Sequence, residues 1–582
     1  MTQKADRRTG GRILVDAMLS HGVDVAFCVP GESYLPVLDA LHDVQERIRL
    51  FVCRQEGGAA FMAEAYGKLT GRPGICFVTR GPGASNAAIG VHTAQQDSTP
   101  MILFIGQVGS DVVEREAFQE VDYRRMFGSM AKWVAQIDRA ERVPEMVSHA
   151  FHLAVSGRPG PVVMALPEDM LTTVTQAPLS RPYQRVAASP ASRDMAKIRN
   201  MLFGCTKPML ILGGGGWTAD ACAHIQRFAE RNFLPVACTF RRQDLMDNLH
   251  DLYVGDIGIG INPALQKRLK EADLLIVVGA RLGEMTTGGY TLFDVPCPEQ
   301  RLVHVHPGAE ELGRVYQADL MINSGMAEFA EWAAVLSPVE PDNWSAWTRA
   351  AREDYEKNVA PVATPGALNM SEVVAWLGGN VPRDTIVTNG AGNFAGWVHR
   401  FYPYGPFRTQ LAPTNGAMGY GVPAAIAAKA LHPERLVLCF SGDGDFLMNG
   451  QELATAVQYD LPVVFFVVNN GMYGTIRMHQ ERDYPERVYG TCLRNPDFAA
   501  LARAHGAHGE TVASNAEFVP AFERARASGR PAVIELRVDP DVITTRTTLT
   551  AIRAKALETR AGTEAAAREE ALGETRNRAK GP

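Results

Sequence analysis

In 582 residues there is no C-x-x-C pair, no uninterrupted apolar run approaching 18 residues and no block of basic residues. Each absence removes a class of protein. The nine cysteines (28, 53, 76, 205, 222, 238, 297, 439 and 492) are scattered without metal-ligand spacing. Most sit in apolar runs and read as small buried hydrophobes, so reduced cytosol is the expected compartment. The opening, Met1 to Gly11, is polar and has no apolar h-region, and neither export nor membrane insertion is expected. A net charge of −6 without a basic cluster argues against nucleic acid or an anionic membrane as partner. What remains, 46% hydrophobic and 21% charged, is ordinary for a soluble globular protein too long for one core, and about three domains are expected.

The chain reads as three α/β blocks. In the first, residues 1–172, an amphipathic helix Gly11 to His21 precedes strands at Val25 to Val29, Ile48 to Cys53, Ile75 to Thr79 and Met101 to Ile105. Helical patterns alternate with these strands, and the block closes near Val162 to Pro167. Thr172 to Ser192, rich in Pro, Thr, Ser and Ala, reads as a linker. The second block, 193–336, has strands at Pro208 to Leu212, Pro235 to Thr239, Leu274 to Val278 and Leu302 to His306; a Pro-rich, charged connection, Ser337 to Pro365, follows. The third, 366–555, has strands at Thr385 to Thr388, Leu436 to Phe440, Leu461 to Val468 and Ala532 to Leu536. The tail, 556–582, has no apolar stripe and reads as frayed helix or disorder. Blocks one and three share a βαβ rhythm without a convincing sequence repeat. The expected fold is α/β, with three doubly wound parallel sheets.

Gly442-Asp443-Gly444 ends one buried-type strand of the third block, and Asn469-Asn470 ends the next after 24 intervening residues. The carboxyl edge of an open parallel sheet is where ligands bind. A carboxylate and an amide oxygen placed there suit Mg²⁺, which takes oxygen ligands and keeps substrate phosphates in its shell. Glycines at the turn let backbone approach a diphosphate. In the first block, Glu56 opens a helix just after the strand ending at Cys53, in Arg54-Gln55-Glu56-Gly57-Gly58-Ala59-Ala60-Phe61-Met62-Ala63-Glu64-Ala65-Tyr66.

Together these segments resemble the thiamine-diphosphate enzymes, and the acetohydroxyacid (acetolactate) synthase large subunits in particular. Further runs carry the likeness: Val78-Thr79-Arg80-Gly81-Pro82-Gly83-Ala84-Ser85-Asn86, Gly106-Gln107-Val108, Ala117-Phe118-Gln119-Glu120, Gly416-Ala417-Met418-Gly419 and Gln451-Glu452-Leu453-Ala454-Thr455-Ala456. The resemblance implies that the three blocks are pyrimidine-binding, central and diphosphate-binding domains. It implies that Asp443 and Asn470 hold Mg²⁺ with their side chains and Met472 with its carbonyl, with Gly442, Gly444 and Asn469 around the diphosphate. Met418 would wedge between the cofactor rings. Glu56 would be the catalytic group, bonding the aminopyrimidine so that the cofactor removes its own C2 proton, a gain of pre-set geometry. In this family Glu56 of one subunit serves cofactor held by another, which implies a homodimer or homotetramer.

The implied activity is decarboxylation of a pyruvate-like 2-oxo acid, with carboligation of the resulting enamine to a second carbonyl compound. Gln55, where many relatives carry histidine, and the lack of an adjacent His-His pair favour ligation over aldehyde release. Several residues depart from the pattern. His479 stands where a tryptophan shapes the second-substrate pocket, and Arg80 replaces a serine. Either could meet a substrate carboxylate, but Arg80 could equally pair with an acid and His479 could be an exposed loop residue. Asn393-Phe394 replaces a Gln-His-type segment beside the diphosphate. Phe118, Gln119 and Lys132 match positions bordering the substrate space. In the central block, which binds FAD in that family, Arg281 matches a flavin neighbour. Yet Gly258-Ile259-Gly260-Ile261 and His304-Val305-His306-Pro307 depart from the FAD-binding stretches, and an emptied nucleotide fold is the alternative. A non-ligating decarboxylase, a 2-hydroxyacyl- or oxalyl-CoA lyase and an inactive regulatory relative stay open.

Overall fold

The computed structural model describes residues 7–578. Each block folds around its own six-stranded sheet, parallel throughout. The first sheet is built from Val25–Cys28, Arg49–Val52, Gly74–Val78, Met101–Gln107, Trp133–Gln136 and Pro161–Pro167, lying side by side in the order 2-1-3-4-6-5. The third is built from Ile386–Asn389, Gln410–Leu411, Val437–Gly442, Val464–Asn469, His508–Val512 and Ala532–Arg537, in that same order. Blocks one and three are therefore repeats in topology although not in sequence. The central sheet (Pro208–Leu212, Val236–Thr239, Tyr253–Ile257, Leu274–Val278, Arg301–His306, Leu320–Asn323) runs 3-2-1-4-5-6, the order of dinucleotide-binding folds.

Five strands escape the hydrophobic pattern: Trp133–Gln136, Tyr253–Ile257, Leu320–Asn323, Gln410–Leu411 and His508–Val512. All five are edge strands. Most of these edges are short or partly solvated, and Tyr253–Ile257, though buried, is interrupted by Gly255-Asp256, so none has the continuous apolar run that marks a central parallel strand.

Three connecting segments hold more structure than their composition suggests. Val174–Thr175, inside the expected linker, pairs antiparallel with Arg8–Thr9 and ties the two ends of block one together. The charged connection after block two contains the helix Ser345–Val359, which buries Thr348, Ala351 and Tyr355. The tail belongs to one continuous helix, Leu549–Arg578, so the expected boundary at 555 falls inside an element; the helix packs on Gly474–Asp483. Residues 579–582 lie outside the described residues.

Blocks one and three meet through the helices Glu56–Thr70 and Gly421–Leu431. Both are lined with small residues (Gly57, Gly58, Ala59, Ala60 and Ala63; Ala424, Ala425, Ala427 and Ala428), which lets the two axes approach closely. A single apolar cluster runs through both blocks. No helix among the described residues is long and apolar enough to cross a membrane.

Candidate active site

In the third sheet Val437–Gly442 lies beside Val464–Asn469 with Gly442 opposite Val468. Asp443 and the Asn469-Asn470 pair thus leave adjacent strands at the same edge. The loop after Ile386–Asn389 joins them, since this is where the strand order reverses. Together they wall a cavity of about 260 Å³, lined by Gly442, Asp443, Gly444, Asn470, Met472 and Met418 over an apolar floor that includes Trp397 and Ile543.

With Asp445, Asp443 is one of two buried carboxylates that line this cavity. Its Oδ1 accepts the Gly444 amide at 2.9 Å; its Oδ2 accepts the Gly471 amide at 2.9 Å and Asn495 Nδ2 at 2.7 Å. Burial pushes the carboxyl up, against the pull of these three bonds. Asn470 Oδ1 accepts the Met472 amide at 3.2 Å. Asn469 supports this turn from behind and does not line the cavity. Its Oδ1 takes the Gly471 amide and Asn495 Nδ2, and its Nδ2 donates to Glu535 at 2.7 Å. Among the described residues no three His, Cys, Asp or Glu side chains cluster as metal ligands. A metal here would have one carboxylate, neutral oxygens from Asn470 and Met472, and phosphate. That donor set fits Mg²⁺, and the partly uncompensated Asp443 carboxylate would be relieved by it.

Glu56 stands elsewhere. It opens the helix Glu56–Thr70, whose first turn is capped by the Gln55 side chain accepting the Gly58 amide at 3.0 Å. Its Oε2 accepts Asn86 Nδ2 at 2.8 Å, and Oε1 faces Gly83. Glu452 of block three holds the preceding turn by accepting the Arg54 and Gln55 amides at 3.0 and 2.9 Å. Glu56 is half-buried and is not among the residues lining the cavity of its own chain.

The other expected site residues separate by environment. Arg80 is 8% exposed and forms ion pairs with Glu168 and with Glu32 at 3.4 Å, which is the acid pairing of its two open readings. Lys132 donates to the carbonyls of Ser156 at 2.5 Å and Arg158 at 2.8 Å; burial lowers its pKa to about 8. Phe118 is 72% exposed. Gln119 holds a left-handed backbone, φ 66°, and its carbonyl accepts the Gly81 amide at 3.0 Å. His479 is half-buried on the helix Gly474–Asp483, not on a loop. Asn393 latches the floor to that helix through Thr475, at 3.0 Å in both directions.

At the carboxyl edge of the central sheet, Arg281 Nη2 donates to the Gln96 carbonyl at 2.7 Å and Arg158 pairs with Glu311 at 2.8 Å. Any side chain on Gly214 would collide with the Gly279 carbonyl, so the loops after the first and fourth strands touch where a dinucleotide would enter. The second strand, Val236–Thr239, ends in Phe240-Arg241-Arg242, and the next acid, Asp244, is spent on the Arg408 amide at 2.9 Å. His306 is spent on Gly308 at 3.0 Å. Arg281, the expected flavin neighbour, is thus engaged by block one.

Sequence reading missed Asn495, which bridges Asp443 and Asn469, because Asn495-Pro496-Asp497 looks like any turn. It also missed Asp445 and Arg241, whose partners are backbone groups far away in sequence.

Family comparisons agree with this geometry. Residues 8–126 match the N-terminal thiamine pyrophosphate binding domain of thiamine pyrophosphate enzymes, 195–332 their central domain and 390–536 their C-terminal thiamine pyrophosphate binding domain. The chain belongs to the thiamine pyrophosphate enzyme family. It is 32% identical to the acetolactate synthase large subunit of Corynebacterium glutamicum, over 92% of this chain and 88% of that one. To the isozyme 2 large subunit of Escherichia coli it is 30% identical, over 91% and 95%. To a probable acetolactate synthase large subunit of Methanocaldococcus jannaschii it is 30% identical, over 91% and 92%.

Proposed function

We propose that this chain decarboxylates a pyruvate-like 2-oxo acid and joins the retained fragment to a second carbonyl compound, as an acetolactate synthase-like carboligase. The supporting observation is the Asp443 carboxylate, buried in a cavity with Asn470, Met472 and Met418 and tied to the turn that carries Asn470 and Met472. Asp443, Asn470 and the Met472 carbonyl would hold Mg²⁺ against a diphosphate, with Gly442 and Gly444 allowing close backbone approach. Bound thiamine diphosphate supplies a carbon nucleophile and an electron sink for decarboxylation. Met418 lines the cavity wall against which the cofactor would rest.

Glu56 would share a proton with the aminopyrimidine ring, oriented by Asn86. Because Glu56 does not line its own chain's cavity, a second copy would supply it, and the working unit would be a homodimer or larger. The apolar floor excludes water, which favours carbon–carbon bond formation over protonation of the retained fragment. For the central block we adopt the emptied nucleotide fold and route no step through FAD.

Incubation with pyruvate alone, with products identified by mass spectrometry, tests the reading. Acetolactate supports carboligation, acetaldehyde marks a simple decarboxylase, and turnover only with an acyl-CoA marks a lyase. No product from any 2-oxo acid or thioester would favour an inactive relative.

A further inference from the structure

Two charged side chains brace the cavity, Asp445 from within its lining and Arg241 from outside it, and neither belongs to the thiamine fingerprint. Asp445 is 2% exposed; its Oδ1 accepts the Gly419 amide at 2.8 Å and the Ala391 amide at 3.1 Å. Arg241 reaches in from the central block, and its guanidinium donates to the carbonyls of Pro413 and, at 3.2 Å, Gly390. One residue therefore takes the N–H groups and the other the C=O groups of the same two segments, 390–391 and 413–419. Those segments carry Ala391, Gly416 and Met418, all of which line the cavity, as does the adjoining Gly392. Gly390 has room only for hydrogen, since a side chain there would run into the Asp445 carboxylate.

Folding economy does not explain this arrangement. A fully buried guanidinium is costly to desolvate, and an apolar residue of similar volume is often neutral or better. Arg241 also holds a left-handed backbone, φ 61°, which a non-glycine residue adopts at a cost. Among the described residues its hydrogen bonds go to two carbonyls; burial lowers its pKa to about 10, and the nearby Asp97 and Asp445 carboxylates oppose that shift. Block one grips the same strap: Asp97 accepts the Thr414 amide at 2.7 Å, and Lys68 Nζ donates to the Ala412 carbonyl at 2.7 Å.

We propose that Arg241 and Asp445 are positioning residues that set the separation of the 390–393 and 413–419 segments, and through it the place of Met418 against thiamine diphosphate. This inference rests on the reading that the cavity holds that cofactor. The central block thereby acts on the cofactor through a side chain, without holding a nucleotide of its own.

Titration calorimetry of thiamine diphosphate with excess Mg²⁺, near-ultraviolet circular dichroism of the bound cofactor and melting of the cofactor-free protein are measured for wild type, Arg241→Met, Arg241→Lys, Asp445→Leu and Asp445→Asn. Loss of two hydrogen bonds in Arg241→Met or Asp445→Leu should weaken cofactor binding about tenfold or more and change the bound spectrum. Asp445→Asn, which keeps the acceptor oxygen, should stay within about threefold of wild type, and Arg241→Lys should recover part of the loss. The double variant should lose less than the two single losses multiplied, because both act on the same segments. Unaltered affinity and spectrum in folded Arg241→Met, with only a lower melting point, would overturn the proposal. Should that variant not fold, hydrogen exchange on wild type decides: peptides covering 388–394 and 411–420 must gain protection together when cofactor binds, and independent responses would overturn it. A wild type that binds no cofactor would instead remove the functional reading itself.

Discussion

Tyr420 donates its phenolic hydroxyl to Glu64 Oε2 at 2.6 Å, joining block three to the helix that begins with Glu56. Glu64 is fully buried, and burial raises its pKa against the opposing pull of Lys68, 3.3 Å away. Tyr420→Phe removes one bond to a buried carboxyl and should cost about 1–3 kcal/mol. Lys68→Met leaves Glu64 and Asp97 facing each other without their shared cation, at a cost of about 3–5 kcal/mol. Thermal denaturation should therefore rank wild type above Tyr420→Phe, and Tyr420→Phe above Lys68→Met; the reverse order would mean the cation contributes little.

Glu56→Gln keeps the shape of the helix start while removing the carboxylate. Turnover should fall about 10²- to 10⁴-fold, with thiamine diphosphate affinity little changed. Asp443→Ala should do the opposite and abolish Mg²⁺-dependent cofactor uptake in calorimetry.

Mixing these two inactive variants tests where the halves of the site meet. If Glu56 serves the neighbouring chain, re-equilibrated Glu56→Gln and Asp443→Ala proteins recover about a quarter of wild-type activity, because one site in each mixed dimer is intact. A single-chain site recovers nothing.

Asn495→Ala should weaken Mg²⁺-supported cofactor binding about five- to tenfold, since Asp443 and Asn469 lose a shared donor. Raising the Mg²⁺ concentration should restore most of it. An effect insensitive to Mg²⁺ would place Asn495 outside the metal's surroundings.

Glu481 is gripped by Arg553 at 2.7 Å and Arg477 at 2.8 Å, which hold its pKa down to about 2, against 4.5 for an unperturbed glutamate. The folded state thus binds this proton less readily than the unfolded one. The stabilisation is complete above about pH 5 and disappears as pH falls from 4.5 towards 2. Arg553→Ala should lower the melting point at pH 7, and the difference from wild type should shrink on acidification across that window.

Legibility in the sequence followed burial. Central strands such as Leu274–Val278 announce themselves because every residue is apolar, whereas edge strands such as His508–Val512 alternate or carry charge. At the site, Asp443 and Asn470 stand out because two turns at fixed spacing end two such strands. Arg241 was invisible: its work is done on carbonyls 149 and 172 residues away in the chain, and no local pattern reports that. Lys132 matches a family position and Arg80 departs from one, yet their partners, the Ser156 carbonyl and Glu168, are also remote in sequence and only the fold discloses them.

The short antiparallel pairing of Arg8–Thr9 with Val174–Thr175 brings the two ends of block one side by side. That block is consequently a closed module, entered and left at one point on its rim. Its native ends could be fused by a brief loop and new ones opened at an outer turn, giving a circular permutant in which the acid-bearing half is unchanged. Its contact with block three, through the helices Glu56–Thr70 and Gly421–Leu431, would survive the rearrangement.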